Sequence, residues 1–254
     1  MADKLVKKYG KGDAAVAAVT DISFKIEAGE FVGIMGESGA GKSTLLGILG
    51  AMNAPTSGKL IVDGIDIYSL GQEQRADFRR EFLGFIFQSF HLVPYLTVME
   101  NVMLQLTVVK AGRNDKKEMA RAALAQVGLR EKADRLPNRI SGGEKERVAI
   151  ARSIVNEPPV LLADEPTGNL DTKTTREIME LLLRFNQEGM TIVMVTHSPA
   201  CAHYAQRIMR VTDGRLEEDE SKIRSIEKWE RNERKREPQL NQDRKLVAGS
   251  LPIG

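Results

Sequence analysis

Of 254 residues only one is cysteine, Cys201, so no disulfide can form within the chain, and so few thiols fit a reducing compartment. We read Cys201 as a passive residue on a helix rather than as a reactive thiol. An excess of charge of one sign is also lacking. Lys and Arg number 37 against 35 Asp and Glu, a formal net charge of +2, so no global field marks a nucleic-acid binder. No run approaches the roughly 20 apolar residues that cross a bilayer. Met1-Ala2-Asp3-Lys4 does not open an apolar stretch of the signal-peptide kind, and no internal repeat is visible. These absences predict a soluble protein that meets a membrane only through a partner. What is present is a hydrophobic content of 42%, enough for a sizeable core. The length suits one large α/β domain or a core with a smaller subdomain.

The most informative stretch is Gly36-Glu37-Ser38-Gly39-Ala40-Gly41-Lys42-Ser43, with Thr44 next. It fits the phosphate-loop pattern G-x-x-x-x-G-K-[ST] at every position. Glycines let backbone N–H groups crowd around phosphate oxygens where a side chain would obstruct. Lys42 is spaced to reach β and γ phosphates, and the Ser43 hydroxyl to sit on Mg²⁺. A helix starting near Lys42 adds its positive end to the same anion site. The context agrees: Glu30–Met35 reads as a buried strand and Ser43–Leu49 as an apolar helix. The chain is expected to bind a nucleoside triphosphate.

Around this loop the pattern predicts strands over Lys4–Tyr9, Ile22–Glu27 and Lys59–Gly64, forming a small antiparallel sheet beside the nucleotide core. A helix is expected over Gln72–Phe82 and a strand over Gly84–Phe87. Residues from His91 to about Glu157 read as mostly helical, with Asp115 able to cap a helix that carries Met119, Ala122, Ala123 and Val127. Val160–Ala163 and Thr191–Val195 return as apolar strands. Between them lies a helix over Thr174–Glu188 with Ile178, Leu181, Leu182 and Phe185 on one side. This alternation indicates a parallel sheet with crossover helices.

Further chemistry sits at the strand ends. Asp164 follows Val160–Ala163, where a carboxylate can hold Mg²⁺, and Glu165 is placed to polarise a water aimed at the γ phosphate. Gln88, after its own strand, either contacts Mg²⁺ or the attacking water or is merely solvated. His197 is either an ordinary surface residue or a donor to the γ phosphate. Ser141-Gly142-Gly143 opens a helix, so its free N–H groups form a second anion site. If the two anion sites lie far apart in one chain, two chains arranged head to tail can still bring them to one phosphate.

The run Ser141–Arg152, followed by Leu161–Asp171, resembles an ABC-transporter ATPase subunit, and the likeness covers about residues 5–216. It implies a P-loop NTPase (RecA-like) α/β core with a small antiparallel β subdomain and an inserted helical signature subdomain at about 91–157. The ATP-binding domain would be residues 1–220. The resemblance makes Gly36–Ser43 the Walker A loop, Gln88 the Q-loop glutamine and Ser141–Glu144 the signature. Asp164 and Glu165 close Walker B, Asn169-Leu170-Asp171 is the D-loop and His197 the switch histidine. Tyr9 falls where the family stacks an aromatic ring on adenine; on residues alone it reads as core or strand-edge packing.

Phe85–Pro94 and Thr167–Asp171 are similar to the MacB/LolD/FtsE branch. That likeness implies a homodimer sandwiching two ATP with Mg²⁺, each between one chain's Walker A and the other's signature. It also implies an integral membrane permease partner of the FtsX/MacB type, reached through the groove beside Gln88, and a place on the cytoplasmic face of the cell membrane. No nucleic acid is expected. The chain would either energise export or lipoprotein or peptide extrusion, or gate a membrane partner without transport, as FtsE-like members do. ABC ATPases acting on DNA or ribosomes carry a long coiled-coil insertion or two nucleotide domains, and neither is visible. Departures from the family pattern are Glu144 for Gln, an acid that also occurs in the branch, and Glu37 and Ala40 for Pro and Ser, positions that supply neither the lysine nor the hydroxyl chemistry. Residues 221–254 form a charged extension in which Ile223, Ile226 and Trp229 are spaced by three. It reads either as a docking helix or as a solvated helix followed by a disordered end.

Overall fold

The computed structural model describes residues 1–10 and 15–221. The extension beyond, and with it the docking-helix reading, lies outside the described residues. In chain order the first half runs β1 (Ala2–Tyr9), β2 (Val16–Phe24), β3 (Phe31–Met35), α1 (Lys42–Leu49), β4 (Ser57–Val62), β5 (Ile65–Asp66), α2 (Gln72–Phe82) and β6 (Leu83–Ile86). The second half runs α3 (Val98–Met103), α4 (Arg113–Gln126), α5 (Gly142–Ile154), β7 (Val160–Asp164), α6 (Thr172–Gln187), β8 (Thr191–Thr196), α7 (Pro199–Ala202), β9 (Arg207–Thr212) and β10 (Arg215–Ser221).

Strand composition sorts these elements into two sheets. β3, β7 and β8 are almost wholly apolar and buried, as strands covered on both faces must be. They lie in the sheet β10-β9-β3-β8-β7-β6, parallel except for β10. Phe31 stands opposite Ile192 and Val160 opposite Thr191, so the carboxyl ends of β3, β7 and β8 emerge side by side. Open α/β sheets bind ligands at those ends. The other sheet, β2-β1-β4-β5, is antiparallel and packs with α1 on one side of the core.

Helix α6 covers the opposite side with Ile178, Met179, Leu181, Leu182 and Phe185, each worth about 1.5–3 kcal/mol when removed from water. Helices α3, α4 and α5, inserted between β6 and β7, join the same core through Val98, Val102, Leu124 and Val148. Their order depends on local capping. Thr97 and Glu100 form a reciprocal capping box on α3. The buried Asn101 amide donates to the Val93, Leu96 and Thr97 carbonyls and accepts from Val93 N–H. That holds the segment after Gln88 in place.

Three sequence expectations change. Gly112, not Asp115, occupies the N-cap of α4, and Asp115 sits in its first turn, where its charge still favours the helix dipole. The buried stripe of that helix is Ala120, Ala123 and Leu124, and Ala122 is exposed, because it lies only one or two positions from each of them and so off their face. Strand β2 stops at Phe24 rather than Glu27. Beyond it the backbone is bound by side chains instead of a neighbouring strand: Arg207 donates to the Lys25 carbonyl at 2.6 Å, and Glu30 accepts from Glu27 N–H at 3.0 Å. The β9–β10 hairpin is an addition, turned by Asp213-Gly214 with φ of 47° and 73°, the left-handed pair that two-residue hairpins require.

Helix α5 buries one carboxyl. Glu146 is 2% exposed, and its Oε1 has no hydrogen-bond partner. Burial pushes its pKa up to about 8, against the opposing pull of Arg152. The folded protein therefore holds a proton that the unfolded chain releases near pH 4.5. The associated stability is complete below that pH and is lost as pH rises through about 8. Glu146→Gln should flatten this fall, so that melting temperatures of parent and variant diverge progressively up to about pH 8–9. Parallel curves would show that Glu146 is not buried as a neutral acid.

Candidate active site

The loop between β3 and α1 is closed by contact with its surroundings. A Cβ on Gly36 would lie 2.1 Å from the Val211 carbonyl oxygen. On Gly41, at φ +97°, it would lie 2.0 Å from the Ala18 carbonyl oxygen. Only glycine fits either position. The turn of the β9–β10 hairpin braces the loop from outside, Gly214 N–H donating to the Ala40 carbonyl at 3.0 Å. Lys42, 8% exposed, folds back so that its ammonium donates to the carbonyls of Gly36 at 2.9 Å and Glu37 at 2.8 Å. The result is a tight ring of main chain at the start of α1 with a cation drawn across it.

This ring opens into a cleft of about 510 Å³, lined by Ala18, Ser38, Gly39, Gly41, Lys42, Ser43, Thr44, Gln88, Glu165 and His197. Strand β7 delivers Asp164, whose Oδ1 accepts from the Ser43 hydroxyl at 3.2 Å. Burial raises the Asp164 pKa, and adjacent Glu165 adds to the effect; the Ser43 hydrogen bond and Lys42 oppose it. A nearby cation would relieve that cost. Among the described residues no three His, Cys, Asp or Glu side chains cluster as a metal site. One carboxylate beside one hydroxyl does fit Mg²⁺, which takes few protein oxygens and completes its shell with substrate phosphate and water.

Glu165 follows in the left-handed region, φ +48°. For a residue with a Cβ this costs about 1–2 kcal/mol and persists only where the surroundings over-determine it. Its N–H donates to the Val195 carbonyl at 3.0 Å. Its Oε1 lies 2.8 Å from His197 Nδ1, and its Oε2 accepts from Thr196 Oγ1 at 3.3 Å. The Glu165 side chain is largely buried, whereas that of His197 is 67% exposed at the mouth. Gln88 is exposed on the cleft wall, its carbonyl bonded by Asn169 Nδ2 at 3.2 Å.

The second predicted anion site is not in this cleft. Ser141 caps α5, its Oγ accepting from Glu144 N–H at 3.3 Å while Glu144 Oε2 accepts from Ser141 N–H at 2.9 Å. Glu144 is further held by an ion pair with Lys132, which, with the Ser141 N–H, keeps its carboxyl below the usual range. Gly142 is exposed, and a Cβ on Gly143 would strike Thr174 Cγ2 at 2.3 Å, so α6 packs tightly against this turn. None of the four lines the cleft that holds Lys42.

Asp171 caps α6, accepting from the N–H groups of Lys173 and Thr174 at 3.0 Å and the Thr174 hydroxyl at 2.6 Å. The Thr174 hydroxyl, first among these bonds, lowers its pKa. Tyr9 is 46% exposed at the end of β1, with the Lys7 ammonium 5.1 Å from its ring centre, and it does not line the cleft. Cys201 is buried on α7, 3.2 Å from Thr167 Oγ1. The sequence reading missed Ala18 and Thr196. Thr196 had one visible signal, a hydroxyl ending an otherwise apolar strand; Ala18 acts through its carbonyl and had none.

Residues 19–168 match the ABC transporter family. The chain is 44% identical over 220 residues to the macrolide export ATP-binding/permease protein MacB of Syntrophobacter fumaroxidans, covering 85% of this chain and 31% of that protein. It thus spans about a third of that relative's length. It is 44% identical over 216 residues to the lipoprotein-releasing system ATP-binding protein LolD of Geobacter metallireducens, covering 85% of this chain and 96% of that one. Among solved structures it superimposes with a TM-score of 0.80 on the ATP-binding cassette MJ0796, a dimer in a post-hydrolysis state bound to ADP and Pi. The identity is 39%, over 87% of this chain and 97% of that one.

Gly41→Ala should weaken triphosphate binding at least about tenfold, since the added methyl meets main chain rather than a movable side chain. Titration with a fluorescent triphosphate analogue reads this directly. Affinity within twofold of the parent would remove the loop from the site.

Proposed function

Because the chain belongs to the ABC transporter family, whose members bind and hydrolyse ATP, we propose that it is the energising subunit of a MacB/LolD-type assembly. Two copies close on two ATP molecules, and the closure drives an integral membrane permease of the FtsX/MacB type. The observation that carries this reading is the separation of the two anion sites. Lys42 and Glu165 share one cleft, while the α5 N-terminus at Gly142 and Gly143, whose Ser141 cap is already bonded to Glu144, lies outside it. A second copy can bring its Ser141 turn to the phosphate that the first copy leaves open.

In this reading Lys42 leaves the Gly36 and Glu37 carbonyls for the β and γ phosphate oxygens. Ser43 and Asp164 would hold Mg²⁺ with Gln88 alongside, and the ion supplies charge neutralisation on the phosphates. Glu165 takes the proton of the attacking water. His197 stands beside that carboxylate at the cleft mouth, where its ring is placed to donate to the γ phosphate. Tyr9 would stack on adenine, and Asp171 would line the seam between copies. Residues 1–220 form the ATP-binding domain, with 91–157 its helical part.

Among the described residues no helix is long and apolar enough to cross a membrane. In this proposal the protein reaches the cytoplasmic face of the membrane through its permease. The names of the MacB and LolD relatives suggest export or lipoprotein release as the work done.

The test is Glu165→Gln. It should retain Mg·ATP-dependent dimerisation by light scattering while hydrolysis falls about 10²–10⁴-fold, the usual contribution of a positioned acid–base group. Turnover near the parent rate would show that another group is the base.

A further inference from the structure

Strand β8 ends on a residue that none of these roles uses. Thr196 is 1% exposed. Its hydroxyl accepts from Ser198 N–H at 3.0 Å and donates to Glu165 Oε2 at 3.3 Å. The other carboxylate oxygen, Oε1, is held by His197 Nδ1 at 2.8 Å. Consecutive residues of one strand end therefore grip the two oxygens of one carboxylate. Packing does not call for the hydroxyl. Ile192, Val193, Met194 and Val195 before it are all buried, and valine has the same shape and suits a strand as well. A buried hydroxyl left without partners is costly, so its presence marks the bonds it makes.

The backbone makes the bond consequential. Glu165 sits at φ +48°, off the strand path, so the regular alternation of side chains along β7 no longer dictates where its carboxylate points. Its aim is fixed instead by β8, through the Val195 carbonyl on its N–H, Thr196 on Oε2 and His197 on Oε1. Of these, the His197 side chain is two-thirds exposed, while Thr196 is enclosed at 1% exposure and bonded to Ser198 N–H as well. We propose that Thr196 is a positioning residue for hydrolysis: it is the fixed half of the grip that keeps the Glu165 carboxylate turned toward the attacking water. This rests on the reading of Glu165 as the base.

The experiment uses the full chain with Mg·ATP and compares Thr196→Val, Thr196→Ser and Thr196→Ala, each also in a Glu165→Ala background. Thr196→Val should lower kcat about tenfold, equal to about 1.4 kcal/mol at the transition state, with KM for ATP within twofold. Thr196→Ser, which keeps both hydrogen bonds, should restore the parent kcat. In the Glu165→Ala background the valine change should cost nothing further, because its effect passes through Glu165. Should Thr196→Val unfold for want of an acceptor for Ser198 N–H, Thr196→Ala must show the same split between kcat and KM. A parent-like kcat in any folded variant without the hydroxyl overturns the proposal, and so does an undiminished tenfold loss on top of Glu165→Ala. If Glu165→Ala itself turns over at the parent rate, the base assignment falls and this inference with it. If Glu165→Ala is inactive while Thr196→Val matches the parent, this inference falls alone.

Discussion

A ring of backbone N–H groups binds phosphate only if nothing fills the ring and nothing lets it relax. Both conditions are met here from outside the loop. The carbonyls of Ala18 on β2 and Val211 on β9 press so close that Gly41 and Gly36 admit no side chain, and Gly214 bonds the loop from the hairpin turn. The anion site is therefore a product of two sheets meeting. The antiparallel sheet supplies one jaw, the edge hairpin of the parallel sheet the other, and the loop is clamped between them. Helix α1 then adds its dipole at a point already fixed.

The same logic of positions set by neighbouring strands extends to the chemistry. Parallel pairing of β7 with β8 places Asp164 and Glu165 beside Thr196 and His197, although the pairs are some thirty residues apart in the chain. The strain at Glu165 is held by these contacts, as expected where backbone strain serves a site. By contrast Ser141–Glu144 is built mainly by a local capping box and an ion pair with Lys132, with one tertiary demand, the glycine that lets α6 approach. One anion site is made by the tertiary fold and the other by a helix end. Within one chain the two lie apart.

Much of this was legible in the residues. Gln72–Phe82 matched α2 at both ends, and the strands before the phosphate loop and Asp164 fell where their apolar runs placed them, because short buried strands and charged amphipathic helices declare themselves by composition. Lys42, Ser43, Gln88, Glu165 and His197 do line one cleft. What was illegible depended on partners distant in sequence. The end of β2 is set by Arg207, the need for glycine at 41 by a carbonyl of Ala18, and the Asp213-Gly214 hairpin turn matters only because it touches Ala40. Asp115 was misplaced because a carboxylate serves a helix start both as cap and in the first turn, and spacing alone does not separate the two.

If each copy completes the other's phosphate cage, two differently defective copies should complement each other. Chains bearing Lys42→Ala lack the loop cation but keep the Ser141 turn, and chains bearing Ser141→Arg have the reverse defect. Each alone should be inactive. Mixed in equal amounts, they form one dimer in which an intact loop faces an intact turn, and ATP turnover should reappear in proportion to that mixed species. Mixtures as inactive as either chain alone, with the mixed dimer formed, would contradict a site shared between two copies.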